Sequence, residues 1–172
     1  MSFEELPYRP GVGVVLFNRD GRVFLGRRKR RRGARASIGH EWQLPQGGID
    51  RGEAPRAAAV RELYEETNVE SVSLLAEAPE WLSYDLPPEV AASRWRGRFR
   101  GQRQKWFAFR FEGADSEIDI QRPAGGEHTP EFDAWRWERI DALPELVVPF
   151  KRKVYEKVVS TFISLSKPAL SA

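Results

Sequence analysis

The sequence predicts an α/β fold in which a mixed β-sheet has helices packed on it. Three observations carry that prediction. The segment Gly11 to Asn18 is apolar on both faces, which marks a strand covered from both sides. Residues 55–68 and 154–162 repeat their apolar positions at helical spacing. The remaining apolar runs have strand length and lie before, between and after those helices, an order that fits helices on a mixed sheet.

Along the chain, Gly13, Val15 and Phe17 share one face of the first strand, and Val12, Val14 and Leu16 share the other. Asn18-Arg-Asp-Gly21 is a turn signal, so Arg22 to Arg28 is expected to return as the second strand of a hairpin. Residues 29–40 have no clean period and read as an exposed loop. Trp42 to Leu44 is a short strand that stops at Pro45. A helix is expected from Pro55, a residue favoured in the first turn, to Asn68, which tolerates a left-handed cap. Ala59, Val60, Leu63 and Thr67 are its expected sheet-facing side, with Glu62, Glu65 and Glu66 facing outward. Ser71 to Glu77 and Trp81 to Tyr84 are strand pieces, and 85–101 reads as a loop rich in proline and arginine. Gln104 to Phe111 is a strand with Phe107, Phe109 and Phe111 on one face, and Phe132 to Glu138 is another. Val154, Tyr155, Val158, Val159 and Phe162 form the apolar stripe of a final helix.

The 172 residues suit one domain, and the tail after about residue 165 is expected to be loose. No cysteine is present, which removes disulfide frameworks and thiolate zinc sites. With only His40 and His128, carboxylates are the plausible metal ligands. The first ten residues do not read as a signal peptide, and the apolar run Val12–Phe17 is too short to span a membrane, so a cytoplasmic location is expected. The run Arg27-Arg-Lys-Arg-Arg-Arg32, with Arg35 after it, suits a phosphate-rich ligand or a solvated loop equally well.

The chemistry concentrates in Gly47-Gly-Ile-Asp-Arg-Gly-Glu53 and the helix after it. Positions 62, 65 and 66 fall within an arc of about 100°, so three carboxylates share one helix face. Like charges this close repel by a few tenths of a kcal/mol per exposed pair. A hard divalent cation, Mg²⁺ or Mn²⁺, would offset that repulsion.

Gly47, five residues, Glu53, seven residues, Arg61-Glu62, two residues, Glu65-Glu66, then Asn68-Val69 resembles the Nudix box over residues 47–69. The family has glycine where Asn68 stands, and both residues tolerate positive φ. Further segments are similar to one subgroup, the RNA pyrophosphohydrolases and diadenosine polyphosphate hydrolases. They are Tyr8-Arg-Pro-Gly-Val-Gly13, Trp42-Gln-Leu-Pro-Gln-Gly-Gly48, Gly101-Gln-Arg-Gln-Lys-Trp-Phe107, Thr129-Pro-Glu-Phe-Asp133, Trp135-Arg-Trp137 and Pro149-Phe-Lys-Arg152.

The resemblance implies an α/β/α sandwich with the mixed sheet between helices, and hydrolysis of phosphoanhydride bonds. It implies that Glu62, Glu65 and Glu66, with Gly47 and Glu131, hold Mg²⁺ or Mn²⁺, more than one ion once substrate is bound. Glu131 would be a further ligand or the general base. Glu53 would be an outer ligand or an orienting group, and Arg61 a structural partner of Glu53 or Glu65. Arg28, Lys105 and Gln102 would meet phosphates, while Tyr84, Phe150 and Lys151 would hold a base. The implied substrate is 5′-triphosphorylated RNA, losing pyrophosphate, or diadenosine tetra- or pentaphosphate. A non-catalytic nucleotide- or RNA-binding module is disfavoured because all four box glutamates are present.

Overall fold

The computed structural model describes residues 1–30 and 39–168. The end of the basic run, Arg31, Arg32 and Arg35, and most of the expected loop 29–40 therefore lie outside the described residues, as does the end of the tail.

The apolar segment near the N-terminus forms β1 (Tyr8–Phe17), longer at its start than expected, and β2 is Val23–Arg28. The turn between them is closed by Asn18, whose side-chain oxygen accepts from the amides of Asp20 and Arg22 at 3.0 Å each. Pro45 then divides two short strands, β3 (Trp42–Gln43) and β4 (Gln46–Gly48). Helix α1 (Pro55–Thr67) follows, then β5 (Val72–Glu77) and β6 (Leu82–Asp85). The segment expected as loop contains a short helix, α2 (Pro88–Ser93), and a 3-10 turn at Arg94–Gly97. Strand β7 (Gly101–Phe111), strand β8 (Phe132–Glu138), a short helix α3 (Leu143–Leu146) and α4 (Arg152–Phe162) complete the order.

Among the described residues eight strands join one mixed sheet, with β3-β2-β1-β7-β5 as its spine. The parallel pair is β1 with β7, in register from Tyr8 opposite Gly101 to Phe17 opposite Arg110. The other pairings are antiparallel, β4 lying on β1, β6 on β7 and β8 on β2. Parallel pairing of β1 with a strand so distant in sequence requires crossover chain on the sheet faces.

Two cores follow from the alternation in β1. Val12, Val14 and Leu16 meet Ala58, Ala59 and Leu63 of α1, together with Phe107, Phe109 and Phe111. Val15 and Phe17 meet Trp106, Ala108 and the Val154, Tyr155, Val158 and Phe162 stripe of α4. Helices thus cover both faces, an α/β/α sandwich. Each fully buried large apolar side chain contributes roughly 1.5–3 kcal/mol.

The phase of α1 differs from the sequence reading in one respect. Val60 is exposed, Ala58 takes its place against the sheet, and Glu66 turns inward beside Thr67. Thr67 stabilises this inward turn by donating to the Leu63 carbonyl at 2.6 Å.

Candidate active site

Helix α1 is placed by its two ends. At its start Ala54 offers no capping side chain, but Pro55 has no amide hydrogen to satisfy. At its end Asn68 adopts φ 69°, the left-handed conformation the cap requires. Asn68 does more than the family's glycine would there. Its amide donates to the Glu117 carbonyl at 3.3 Å, and its side-chain oxygen accepts from the Gly125 amide at 3.0 Å.

Arg61 organises the carboxylates. Its Nε and Nη2 donate to the two oxygens of Glu53 at 2.8 and 2.9 Å, a bidentate fork. Nη2 also donates to the Gly48 carbonyl at 2.8 Å, and Nη1 reaches Glu62 at 2.9 Å and Glu65 at 3.1 Å. The Arg61 hydrogen bond holds the Glu53 carboxyl down at about 2. A depressed carboxyl contributes stability above its ordinary value of 4.5 and loses it as pH falls toward about 2. Glu53→Gln should therefore remove part of the acid sensitivity between pH 5 and pH 3. Melting curves of variant and wild type that stay parallel over that range would contradict this.

The three box glutamates do not face outward alike. Glu66 is buried, its Oε2 accepting from the Gln46 amide at 3.3 Å. Burial pushes its carboxyl well above the usual range, and the nearby Glu62 and Glu131 push it further. Burial also raises Glu62, to about 7, against the lowering influence of Arg61. The Glu62 carboxylate lies where a side chain on residue 47 would begin, since a Cβ on Gly47 would fall onto its carboxyl carbon. The glycine of the box thus makes room for the glutamate. Glu65 lies between Arg61 and His128, whose Nε2 is 3.5 Å away.

Glu62, Glu66 and Glu131 line one wall of a cavity of about 240 Å³. Arg9, Arg28 and Arg94 also line it, with Trp95, the amides Gln43, Gln46 and Gln102, and the backbone of Gly47 and Gly48. Glu131 reaches this wall from the segment before β8, whose backbone is tied to β2 by the Lys29 amide donating to the Glu131 carbonyl at 2.9 Å. Lys151 lies beneath, buried, 3.4 Å from Gln43 Oε1 and 5.4 Å from the Tyr84 ring centroid. Burial, then Arg28 and Arg94, lower its ammonium to about 7.

Among the described residues no three Asp, Glu or His side chains are gathered at metal-ligand spacing. The donor chemistry nevertheless fits a hard divalent cation. Three carboxylates and a glycine backbone share one cavity, and Glu66 is a buried carboxyl whose ionisation burial and its acidic neighbours oppose.

The structure brings Arg28, Gln102 and Glu131 to the cavity and sets other expected contacts apart from it. Lys105 projects from the face of β7 opposite Gln102 and Gln104 and pairs with Glu77 at 3.4 Å. Lys105 neighbours Val12 on the α1 side of the sheet and is not among the residues that line the cavity. Tyr84 is buried in the α4-side core with Phe150 at a ring distance of 5.8 Å, so the two rings pack on each other. Gln102 accepts from Gln104 Nε2 at 2.8 Å, and that amide also donates to Gln46 at 3.0 Å. Arg9, Gln43, Gln46 and Gly48 are cavity residues that the sequence signals only as members of the segments 8–13 and 42–48. Arg94 and Trp95 carry no such signal, since they lie in the stretch read as loop.

A cavity lined by carboxylates and arginines, beside a helix entered through a glycine turn, is equipped to bind a polyphosphate and to hydrolyse it. Residues 7–158 match the family described as NUDIX domain, and the chain belongs to that family. It is a Nudix pyrophosphohydrolase, an enzyme of phosphoanhydride bonds in a family that depends on divalent metal. Over 166 residues it is 58% identical to the RNA pyrophosphohydrolase of Rhodopseudomonas palustris, covering 95% of this chain and 96% of that one. Two solved structures share the fold. The Escherichia coli dihydroneopterin triphosphate pyrophosphohydrolase has a TM-score of 0.61 at 20% identity, covering 90% of this chain and 98% of its own. A Caenorhabditis elegans Ap4A hydrolase binary complex has a TM-score of 0.60 at 18% identity, covering 91% and 98%.

Proposed function

We propose that this enzyme removes pyrophosphate from 5′-triphosphorylated RNA and leaves a 5′-monophosphate end, a step toward mRNA decay in the cytoplasm. The observation that carries the reading is the cavity that Glu62, Glu66 and Glu131 share with Arg9, Arg28 and Arg94. The 58% identity to an RNA pyrophosphohydrolase along nearly the whole chain supports RNA as the substrate. Among the described residues no helix is long and apolar enough to cross a membrane. In this reading all 172 residues serve one Nudix domain.

Water attacks a phosphorus of the triphosphate, one P–O–P link breaks, and pyrophosphate leaves. Glu62, Glu65, Glu66, Glu131 and the Gly47 backbone would hold Mg²⁺ or Mn²⁺, more than one ion with substrate bound. When bound, the metal neutralises the phosphate oxygens and lowers the pKa of water. Glu131, exposed and lining the cavity, would alternatively take the proton from the attacking water. Arg28 and Gln102 hold phosphates, and Glu53 with Arg61 keeps the box carboxylates in place.

Diadenosine tetra- or pentaphosphate presents the same anhydride to the same wall. The test is a side-by-side rate comparison of triphosphorylated RNA and diadenosine tetraphosphate on purified protein with Mg²⁺. Pyrophosphate, or two phosphates released stepwise, is expected from the RNA. Cleavage of the dinucleotide alone under matched conditions would sink the RNA reading.

A further inference from the structure

Arg9 and Arg94 line the cavity, yet among the described residues neither has a carboxylate at ion-pair distance or a side-chain hydrogen bond. What they share is one indole. The guanidinium carbon of Arg9 lies 5.2 Å from the Trp95 ring centroid, and that of Arg94 lies 5.1 Å from it. Both distances are within cation–π range. Arg9 is also packed against the box turn, where a Cβ on Gly48 would fall onto its guanidinium.

The backbone beneath the indole is unusual. Trp95 and Arg96 are consecutive non-glycine residues with φ of 49° and 58°, a left-handed conformation that costs energy for any residue with a Cβ. Such strain persists where surrounding contacts over-determine it, and it concentrates at functional sites. Here the indole is anchored edge-on to Phe99 at 6.0 Å and packs on the α4-side core. The strained turn places an anchored aromatic face beside two guanidiniums that, among the described residues, make no ion pair.

We propose that Trp95 is a positioning residue, its indole holding Arg9 and Arg94 together as a two-guanidinium clamp for the substrate's polyphosphate. The inference rests on the phosphoanhydride reading of the cavity and extends it to a residue outside the box. Two guanidiniums brought together repel, and the negative face of one ring attracts both. Their planar donor forks then meet phosphate oxygens without first being pulled from a competing carboxylate. The clamp recognises the polyphosphate alone, so it acts on RNA and on dinucleoside polyphosphates alike.

The test uses the full chain as wild type, Trp95→Ala, Trp95→Phe, Arg94→Ala and the Trp95→Ala/Arg94→Ala double variant. Inorganic tripolyphosphate is titrated by calorimetry in EDTA, so that no metal contributes. Trp95→Ala and Arg94→Ala are each expected to weaken binding about tenfold, and Trp95→Phe to recover most of that loss. The double variant should bind more tightly than the product of the single losses predicts, because the two residues act through each other. With substrate, Trp95→Ala should raise KM about tenfold while kcat stays within about twofold. Wild-type-like tripolyphosphate affinity in Trp95→Ala, strictly multiplicative losses, or a fall in kcat at unchanged KM would each overturn the clamp. The ring-retaining variant keeps the idea testable if the alanine variant melts early: Trp95→Phe binding as weakly as Arg94→Ala would also overturn it. Failure of the RNA reading leaves the tripolyphosphate result standing, and failure of the clamp leaves RNA turnover intact.

Discussion

Replacing Glu66 by glutamine is expected to reduce turnover by roughly 10²–10³-fold while the fold survives, the scale of losing one preorganised electrostatic partner. The glutamine keeps the shape and can still accept from the Gln46 amide, so the change removes charge and little else. Its effect on stability has the opposite sign. Burial raises the Glu66 carboxyl well above 4.5, so the folded chain holds that proton more tightly than the unfolded chain does. Stability without metal then declines as pH climbs above 4.5 toward the raised value. The glutamine variant lacks that decline and should melt at or above wild type at pH 8 in chelator. Adding Mg²⁺ should raise the wild-type melting temperature more than the variant's. Unchanged turnover together with an equal Mg²⁺ shift would remove Glu66 from the ligand set.

Arg61→Lys is expected to cost about 10–100-fold in turnover, although it conserves charge. A lysine has one donor atom where the guanidinium makes a fork. It cannot serve both oxygens of Glu53, the Gly48 carbonyl, Glu62 and Glu65 together. Released from Nη1, Glu62 and Glu65 lose the geometry they present to a cation, so metal affinity should fall with turnover. Several partners are partly exposed, which discounts the stability loss to about 2 kcal/mol, or ~5 °C in melting temperature. Wild-type metal affinity in Arg61→Lys would show that the fork is not what orients the carboxylates.

Local patterns account for most of what could be read in advance. The two apolar faces of β1 divide between two cores as alternation requires. Helix α1 starts at Pro55 and ends at Asn68 because proline spares an amide and asparagine tolerates positive φ. Where neighbours in space decide, the reading departs from the structure. Helical spacing placed Val60 inward and Glu66 outward, but the sheet takes Ala58, and the cavity takes Glu66. Lys105 belongs to a segment typical of the subgroup, yet β5 supplies Glu77 as its partner. Arg94 and Trp95 sit in a stretch read as a loop rich in proline and arginine, and a short helix and a strained turn carry them to the cavity.

By itself the sequence determined the class of fold, the box and the chemistry of its donors. Those depend on residue type and on spacing within one helix or strand, and short-range geometry is set by the chain's own bonds. Only the tertiary structure decided which carboxylate is buried, which arginines face it and which aromatic holds them. Burial and charge proximity are properties of residues distant in sequence, brought together when β1 pairs with β7 and α1 closes over the sheet.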